Sequence, residues 1–417
     1  MRIMLFNQYA GSPSMGMAFR PYYLAREWVA AGHDVTIVSG TFSHARQHNP
    51  SSKGVEMIDG IRYHWLKLPS YQGNGARRVA NIVAYSSAIW LKANHLAARY
   101  EPELVISSST HPLDYYGAHR VSKRTGAIHV HEVHDLWPLT LYEIGGMSPQ
   151  HPWVRLLQVA EDAAYTNCDF VVSMLPDAMT HMANHGLDES RFVYIPNGVV
   201  REDWVDPEPL APEITETMEA VQRRARMIVG YAGGFNPSNE LESLLDAAAG
   251  AHNGIEIVLA GSGPTRASLE KSFACGNVTF LPAIPKRQIP SLLALFDVCF
   301  VGHKRSPLYR FGVSPNKVFD YMMASKPIIY SVEASNDPVS DADCGISIRS
   351  EDAGEIARAI REFDELGATR RAALGQNGRN YALSHHTFEQ LAPRFLAETS
   401  PWKVEPEEPF PHGSASQ

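Results

Sequence analysis

Cysteine is scarce in this chain. Cys168, Cys275, Cys299 and Cys344 are the only four in 417 residues, they lie far apart, and no CxxC occurs. A disulfide scaffold is therefore not expected, and three of the four sit in or beside apolar strand-like runs, where they read as buried free thiols. No apolar run approaches the ~18 residues of a spanning helix. The opening MRIMLFNQYAGSPS is too short and too soon broken for a secretory signal, so a cytoplasmic protein is expected. Positive charge is not in excess: the net charge is −8 with histidine neutral, which argues against bulk nucleic-acid binding. There is no GxxxxGK[ST], no solenoid-length repeat, and no Ser-His-Asp order or Cys-His pair to supply a nucleophile.

What is present is alternation. At this length one hydrophobic core is exceeded, and two domains are the natural expectation. In the first half RIMLFNQ, HDVTIVSG, GIRYHWLKLP, ELVISSS, AIHVHEVHD, CDFVVSML and RFVYIPNGV read as strands. AFRPYYLAREWVAAG and VANIVAYSSAIWLKANHLAARY read as helices between them. The pattern lapses over residues 201–225 into a proline- and acid-rich linker with a short helix, then restarts. RMIVGYAGG and IEIVLAGSG each run into glycines, and NVTFLPAI, DVCFVGH, KPIIYSV and GISI continue as strands. Strands alternating with helices imply parallel sheets covered on both faces, an α/β protein of two doubly wound halves.

Ligands of such sheets bind outside the carboxyl ends of the strands. The loops after those ends are residues 11–16, 110–114, 131–137, 233–239, 261–264 and 302–316. Gly233-Gly234 and Gly261-Ser262-Gly263 follow buried strands, and glycine there lets backbone N–H groups approach phosphate oxygens. Neither completes a dinucleotide fingerprint, and each alone reads first as a tight strand-to-helix turn; two in one half, each at a strand end, narrow the gap. HVHEVHDLWP is the densest cluster of the first half. Its spacing does not match a metallo-hydrolase set. His134 and Asp135 are expected at the strand end facing the cleft, where a neighbouring carboxylate favours protonated His134. A histidine satisfied by backbone is the bland alternative.

Residues 311–327, FGVSPNKVFDYMMASKP, join a loop to a helix start. Gly312 and Pro315 break the chain and Ser314 can cap. Lys317 and Asp320 stand three apart, on one face of the helix at its first turn. This is either a capped surface helix with an ion pair or a site for an anionic or sugar-like ligand. His303, Lys304, Arg305 and Arg310 supply further basic groups, as a diphosphate leaving group requires. The helix beginning after Arg77-Arg78 carries Tyr85 and Trp90, and reads as a core helix or as a membrane-surface contact.

Together these stretches resemble retaining nucleotide-sugar glycosyltransferases of family 4. The matching pieces are MRIMLFNQYAGSPSMGM, AAGHDVTIVSG, YIPNGV, GYAGGF, IVLAGSGP, NVTFLPAIP with SLLALFDVCFV, and SPNKVFDYMMASKPII. FRPYYLAREWVAAGHDVTIVSGTFSH with HDLWP looks closest to members that build bacterial O-antigen and capsule. The resemblance implies the GT-B fold, two facing Rossmann-like domains with a cleft between them. It divides the chain into an acceptor-side domain (1–200), a linker (201–225), a donor-side domain (226–382), a C-terminal helix packing back on the first domain (383–400) and a disordered tail (401–417).

It also implies transfer of a hexosyl or N-acetylhexosaminyl group from a nucleoside diphosphate to a saccharide acceptor, lipid-linked in some members, with no cofactor and no metal. His134, Asp135 and Lys317 are then the candidate catalytic residues. Gly16, Gly233, Gly234, Phe235, Asn236, Gly261, Gly263, Lys304, Arg310, Gly312, Ser314, Pro315, Asn316 and Asp320 are the candidate donor-binding residues. Asp320 takes the place of the Glu that bonds the ribose in the family. The family's first acid stands eight residues earlier, where this chain has Gly312. A GT-B nucleotide-sugar epimerase and a non-catalytic nucleotide-sugar-binding subunit remain as alternatives.

Overall fold

Short apolar strands bounded by glycine and charge build two separate sheets. The computed structural model describes residues 1–16, 20–44, 46–50, 53–73, 75–249, 254–273 and 276–400; Cys275 and the tail expected to be disordered lie outside these. The first sheet contains β1 (Arg2–Phe6), β2 (Asp34–Gly40), β3 (Gly54–Ile58), β4 (Ile61–Leu66), β5 (Leu104–Ser107), β6 (Ile128–Val133), β7 (Phe170–Ser173) and β8 (Phe192–Tyr194), in the order β3-β4-β2-β1-β5-β6-β7-β8. Every pairing is parallel except β3 with β4, an antiparallel edge the sequence pattern did not reveal. All five residues of β3 lack full burial, which is why its apolar signal is weak.

The second sheet contains β9 (Met227–Ala232), β10 (Ile255–Ala260), β11 (Val278–Leu281), β12 (Val298–Gly302), β13 (Ile328–Ser331) and β14 (Gly345–Ile348), ordered β11-β10-β9-β12-β13-β14 and parallel throughout. Both faces are covered, so β9 and β10 are buried along their whole length. Gly230 lets β9 approach the Phe296 ring: a Cβ there would fall 1.9 Å from Phe296 Cδ2.

The first domain's helices are α1 (Arg20–Ala30), α2 (Ala76–Tyr100), α3 (Asp114–Thr125), α4 (Leu139–Glu143), α5 (Pro152–Asn167) and α6 (Met179–Asn184). Next come α7 (Pro212–Arg224), α8 (Leu241–Ala249), α9 (Arg266–Ser272), α10 (Ile289–Ala294), α11 (Asn316–Met323), α12 (Pro338–Asp341), α13 (Ala353–His385, broken at Gly367) and α14 (Phe388–Glu398). The stretch expected as linker contains α7, whose Ile214, Met218 and Val221 sit in the second domain's core. Cys168, Cys299 and Cys344 are buried free thiols.

The chain crosses between domains twice, side by side. Val199 N donates to His386 O and Phe388 N donates to Val199 O. Beyond the second crossing, α14 returns to the first domain. Phe388, Leu391 and Phe395 enter the same core as Trp28, and Trp28 Nε1 donates to Ala392 O at 2.9 Å.

Candidate active site

The glycine turns of the second domain pack on each other. A Cβ at Gly261 (φ +150) would meet Gly233 O at 1.8 Å, and one at Gly263 (φ +155) would meet Phe235 O at 2.4 Å. Glycine is therefore required at both positions for the strand ends of β9 and β10 to close. Phe235 is corrected by this packing: its side chain is fully buried against Tyr231 and Phe280, so only its backbone is near the turn. Gly234 and Asn236 are exposed.

Lys317, on the first turn of α11, reaches into this turn. Its ammonium donates to Tyr231 Oη at 3.2 Å and to Asn239 Oδ1 at 3.0 Å. Both acceptors are held in turn, since Tyr231 Oη and Asn239 Nδ2 each donate to Gly234 O. Among the described residues Lys317 has no carboxylate partner. Burial without a counter-charge pushes its pKa down to about 8. An ammonium has three hydrogens, and two are used by neutral groups, so the site lacks an anion. Tyr231 was not among the expected site residues; Asn239 closes the candidate loop 233–239 but was given no role.

The ion pair between Lys317 and Asp320 does not form. Asp320 instead accepts from Lys286 at 2.7 Å on both carboxylate oxygens. Ser314 does not cap α11; Pro315 precedes Asn316 there without a side-chain cap. Ser314 Oγ accepts from Asn197 N at 2.9 Å, and Ser314 O from Asn197 Nδ2 at 2.8 Å, tying the loop to the first domain. Arg310 likewise leaves the donor set, as a two-pronged pair with Glu143 of α4 at 2.7 and 2.8 Å. Lys304 lies at the surface, 3.6 Å from Glu242. Gly312 adopts φ +89, and a Cβ would fall 2.5 Å from Pro176 Cδ. That contact explains why no acid occupies the position: a side chain there would have to displace the first domain.

In the first domain Glu132, not Asp135, is the carboxylate bonded to His134. His134 Nε2 lies 2.9 Å from Ser108 Oγ and 3.2 Å from Glu132 Oε2, while Ser108 Oγ donates to Glu132 Oε2 at 2.5 Å. Nε2 meets only acceptors there, so it carries a proton and Nδ1 is the atom left for a substrate. Arg20 Nε donates to Glu132 Oε1 at 2.7 Å and its Nη2 to Ile195 O at 2.9 Å. Burial alone would raise the Glu132 pKa, but Arg20, His134 and Ser108 hold it well below the carboxylate range. Asp135 lies exposed just beyond the end of β6.

His129 and His131 both lie within hydrogen-bond reach of Ser107 Oγ inside the sheet, which accounts for the rest of the histidine cluster. Asp114, which closes the candidate loop 110–114 but was given no role, is fully buried with its carboxyl pushed up to about 7 by desolvation. Gly16 ends the short turn Pro13–Met15 at φ +78 and is exposed on the loop after β1.

Two family models divide the chain as the sheets do. A "Glycosyl transferase 4-like domain" matches residues 15–198, and "Glycosyl transferases group 1" matches residues 226–364. The chain is a glycosyltransferase of GT-B architecture.

Solved structures share the glycosyltransferase's fold over almost its whole length. Sucrose-phosphate synthase from Thermosynechococcus elongatus is 19% identical with a TM-score of 0.72, covering 95% of this chain and 97% of its own. WaaG, a glycosyltransferase involved in lipopolysaccharide biosynthesis, is 14% identical with a TM-score of 0.65, covering 95% and 100%. HepE of Anabaena in complex with UDP is 14% identical with a TM-score of 0.64, covering 95% and 98%. No curated protein matches the sequence. A wide depression of 1060 Å³ on the glycosyltransferase, lined by Glu143, Arg310, Glu333 and Arg349, contains neither Lys317 nor the glycine turns.

Proposed function

We propose that this glycosyltransferase moves a hexosyl or N-acetylhexosaminyl group from a nucleoside diphosphate to a saccharide hydroxyl with retention, without a metal, in bacterial surface-polysaccharide synthesis. The observation that carries the reading is Lys317, a partly buried ammonium with no carboxylate partner among the described residues, set beside two glycine turns at strand ends. A diphosphate bound there supplies the missing negative charge, and the same ammonium stabilises it as it leaves. Asn236 and the backbone of Gly233, Gly234, Gly261 and Gly263 line the phosphate path. Asp320, turned away from Lys317, bonds the ribose hydroxyls once Lys286 yields.

His134 Nδ1, aimed by the Ser108–Glu132–Arg20 chain, and Asp135 contact the transferred sugar. No side-chain nucleophile is assigned. Departure and attack occur on one sugar face, and the leaving phosphate takes the acceptor proton. Exposed Val83, Trp90 and Leu91 on α2 support a lipid-linked acceptor reached from a membrane surface, on the cytoplasmic side. No helix among the described residues is long and apolar enough to cross a membrane.

HepE was solved with UDP, so UDP-sugars are the first donors to try. Incubation with UDP-, GDP- and dTDP-sugars in chelator should release nucleoside diphosphate and give a product of unchanged anomeric configuration by NMR. His134→Ala and Asp135→Ala should each lower kcat by ~10²-fold or more. Strict metal dependence, inversion, or near-normal turnover in both variants would overturn these assignments.

A further inference from the structure

The seam between α5 and α6 gathers metal-binding side chains that the transfer chemistry does not use. Glu161 lies on α5, and His181 and His185 lie one turn apart at and beyond α6; one ligand atom from each falls within 4.8 Å of the others. Glu161 Oε1 and His181 Nε2 are 3.5 Å apart, too long for a good hydrogen bond. Two ligands ~2.1 Å from one zinc ion at the tetrahedral angle stand about 3.4 Å apart, so this pair already spans one edge of such a site. His181 Nε2 is buried and has no hydrogen-bond partner, and its side chain is only 10% exposed.

A second observation points the same way. Gln158 Nε2 lies 2.7 Å from Glu161 Oε2, 2.7 Å from Asp162 Oδ1 and 2.9 Å from His185 Nδ1. Asp162 Oδ1 also lies 2.9 Å from His185 Nδ1, so Gln158 serves the two carboxylates while Asp162 holds the His185 ring. Tyr165 Oη donates to Glu161 Oε1 at 2.9 Å, which fixes the carboxylate from behind. Two carboxylates and two imidazoles thus converge with no Lys or Arg paired to them among the described residues.

We infer that Glu161, His181 and His185 bind one divalent cation of the zinc type, with water or Asp162 as the fourth ligand. Two imidazoles and a carboxylate suit zinc over calcium or magnesium. The site is structural. The His181 ring lies 5.4 Å from that of Phe311, and Asp177 N donates to Phe311 O at 3.1 Å, so a cation here braces the first-domain surface on which the second-domain loop rests.

Chelator-stripped protein titrated with zinc against a chromophoric chelator should show one equivalent bound at roughly micromolar affinity. Cobalt should give the intense visible bands of a tetrahedral site. His181→Ala and the nearly isosteric Glu161→Gln should each weaken binding at least tenfold, whereas His95→Ala, at an exposed position, should not. Zinc should raise the melting temperature of the parent and not of Glu161→Gln. Absence of zinc binding in the parent, or binding that survives both substitutions, would overturn the site. Because Glu161→Gln keeps the side-chain volume, a folding failure in His181→Ala leaves the test intact.

Discussion

Lys317 shows how a site's chemistry is set by what a residue lacks. Its neighbours Tyr231 and Asn239 are neutral, and desolvation pulls its pKa from 10.5 to about 8. The folded protein therefore bears a penalty for the charged form. That penalty is present in full below about pH 8 and vanishes as pH rises toward the unfolded value. Lys317→Met should stabilise the unliganded protein by about 1–2 kcal/mol at pH 7, with the gain shrinking toward pH 10 in denaturant titrations. The same substitution should abolish donor binding, and donor affinity of the parent should fall as pH rises through about 8. A destabilised Lys317→Met with intact donor binding would mean that the ammonium is structural. The sequence displayed Lys317 at a helix start, but not its partners. The rotation of a side chain about a helix is set by tertiary packing, so the expected pairing with Asp320 gave way to Lys286. Gly312 was legible as a gap in an acidic pattern; only the Pro176 contact explains the gap.

At the scale of elements, nearly every strand was readable because parallel strands buried on both faces are continuous apolar runs. The exception, β3, is an exposed antiparallel edge and carries no such run. Helix α2 illustrates a pattern with two apolar faces. Ile82, Tyr85, Ile89, Ala93 and Leu96 enter the core, which accounts for the periodicity. Val83, Trp90 and Leu91 are left outside at 43%, 44% and 79% exposure, with the Arg120 guanidinium 4.8 Å over the Trp90 ring. An apolar strip edged by arginine is the composition of a surface that rests on anionic lipid. In flotation with liposomes containing anionic lipid, the parent should rise with the vesicles and Leu91→Glu should lose several-fold of that binding. Parent protein that stays at the bottom of the gradient would remove the membrane contact. Leu91 has almost no packing to lose, so Leu91→Glu should leave stability within about 0.5 kcal/mol of the parent.

At the scale of the whole molecule, one loop carries much of the contact between the domains. Arg310 pairs with Glu143, Phe311 O accepts from Asp177 N, Gly312 rests on Pro176, and Ser314 holds Asn197. The loop then becomes α11, whose Lys317 faces the proposed diphosphate and whose Phe319 ring stacks on His386 at the second chain crossing, 4.0 Å between centroids. Donor site, seam and crossing thus share one short segment, and a change in any of them is felt by the others. The sequence presented each piece in order but could not show that the pieces touch, since residues 197 and 314 meet only through the fold. Asn197→Ala removes the Nδ2 hydrogen bond to Ser314 O, keeps the backbone N–H bond to Ser314 Oγ, and does not touch the glycine turns. Stability should fall by about 1 kcal/mol. If the seam sets how the two halves meet around the substrates, donor dissociation constants should stay within about twofold of the parent while kcat drops about tenfold or more, a difference of about 1.4 kcal/mol in the barrier. Equal losses in donor affinity and kcat would place Asn197 in donor binding instead, and unchanged kcat would show that this contact only holds the domains together.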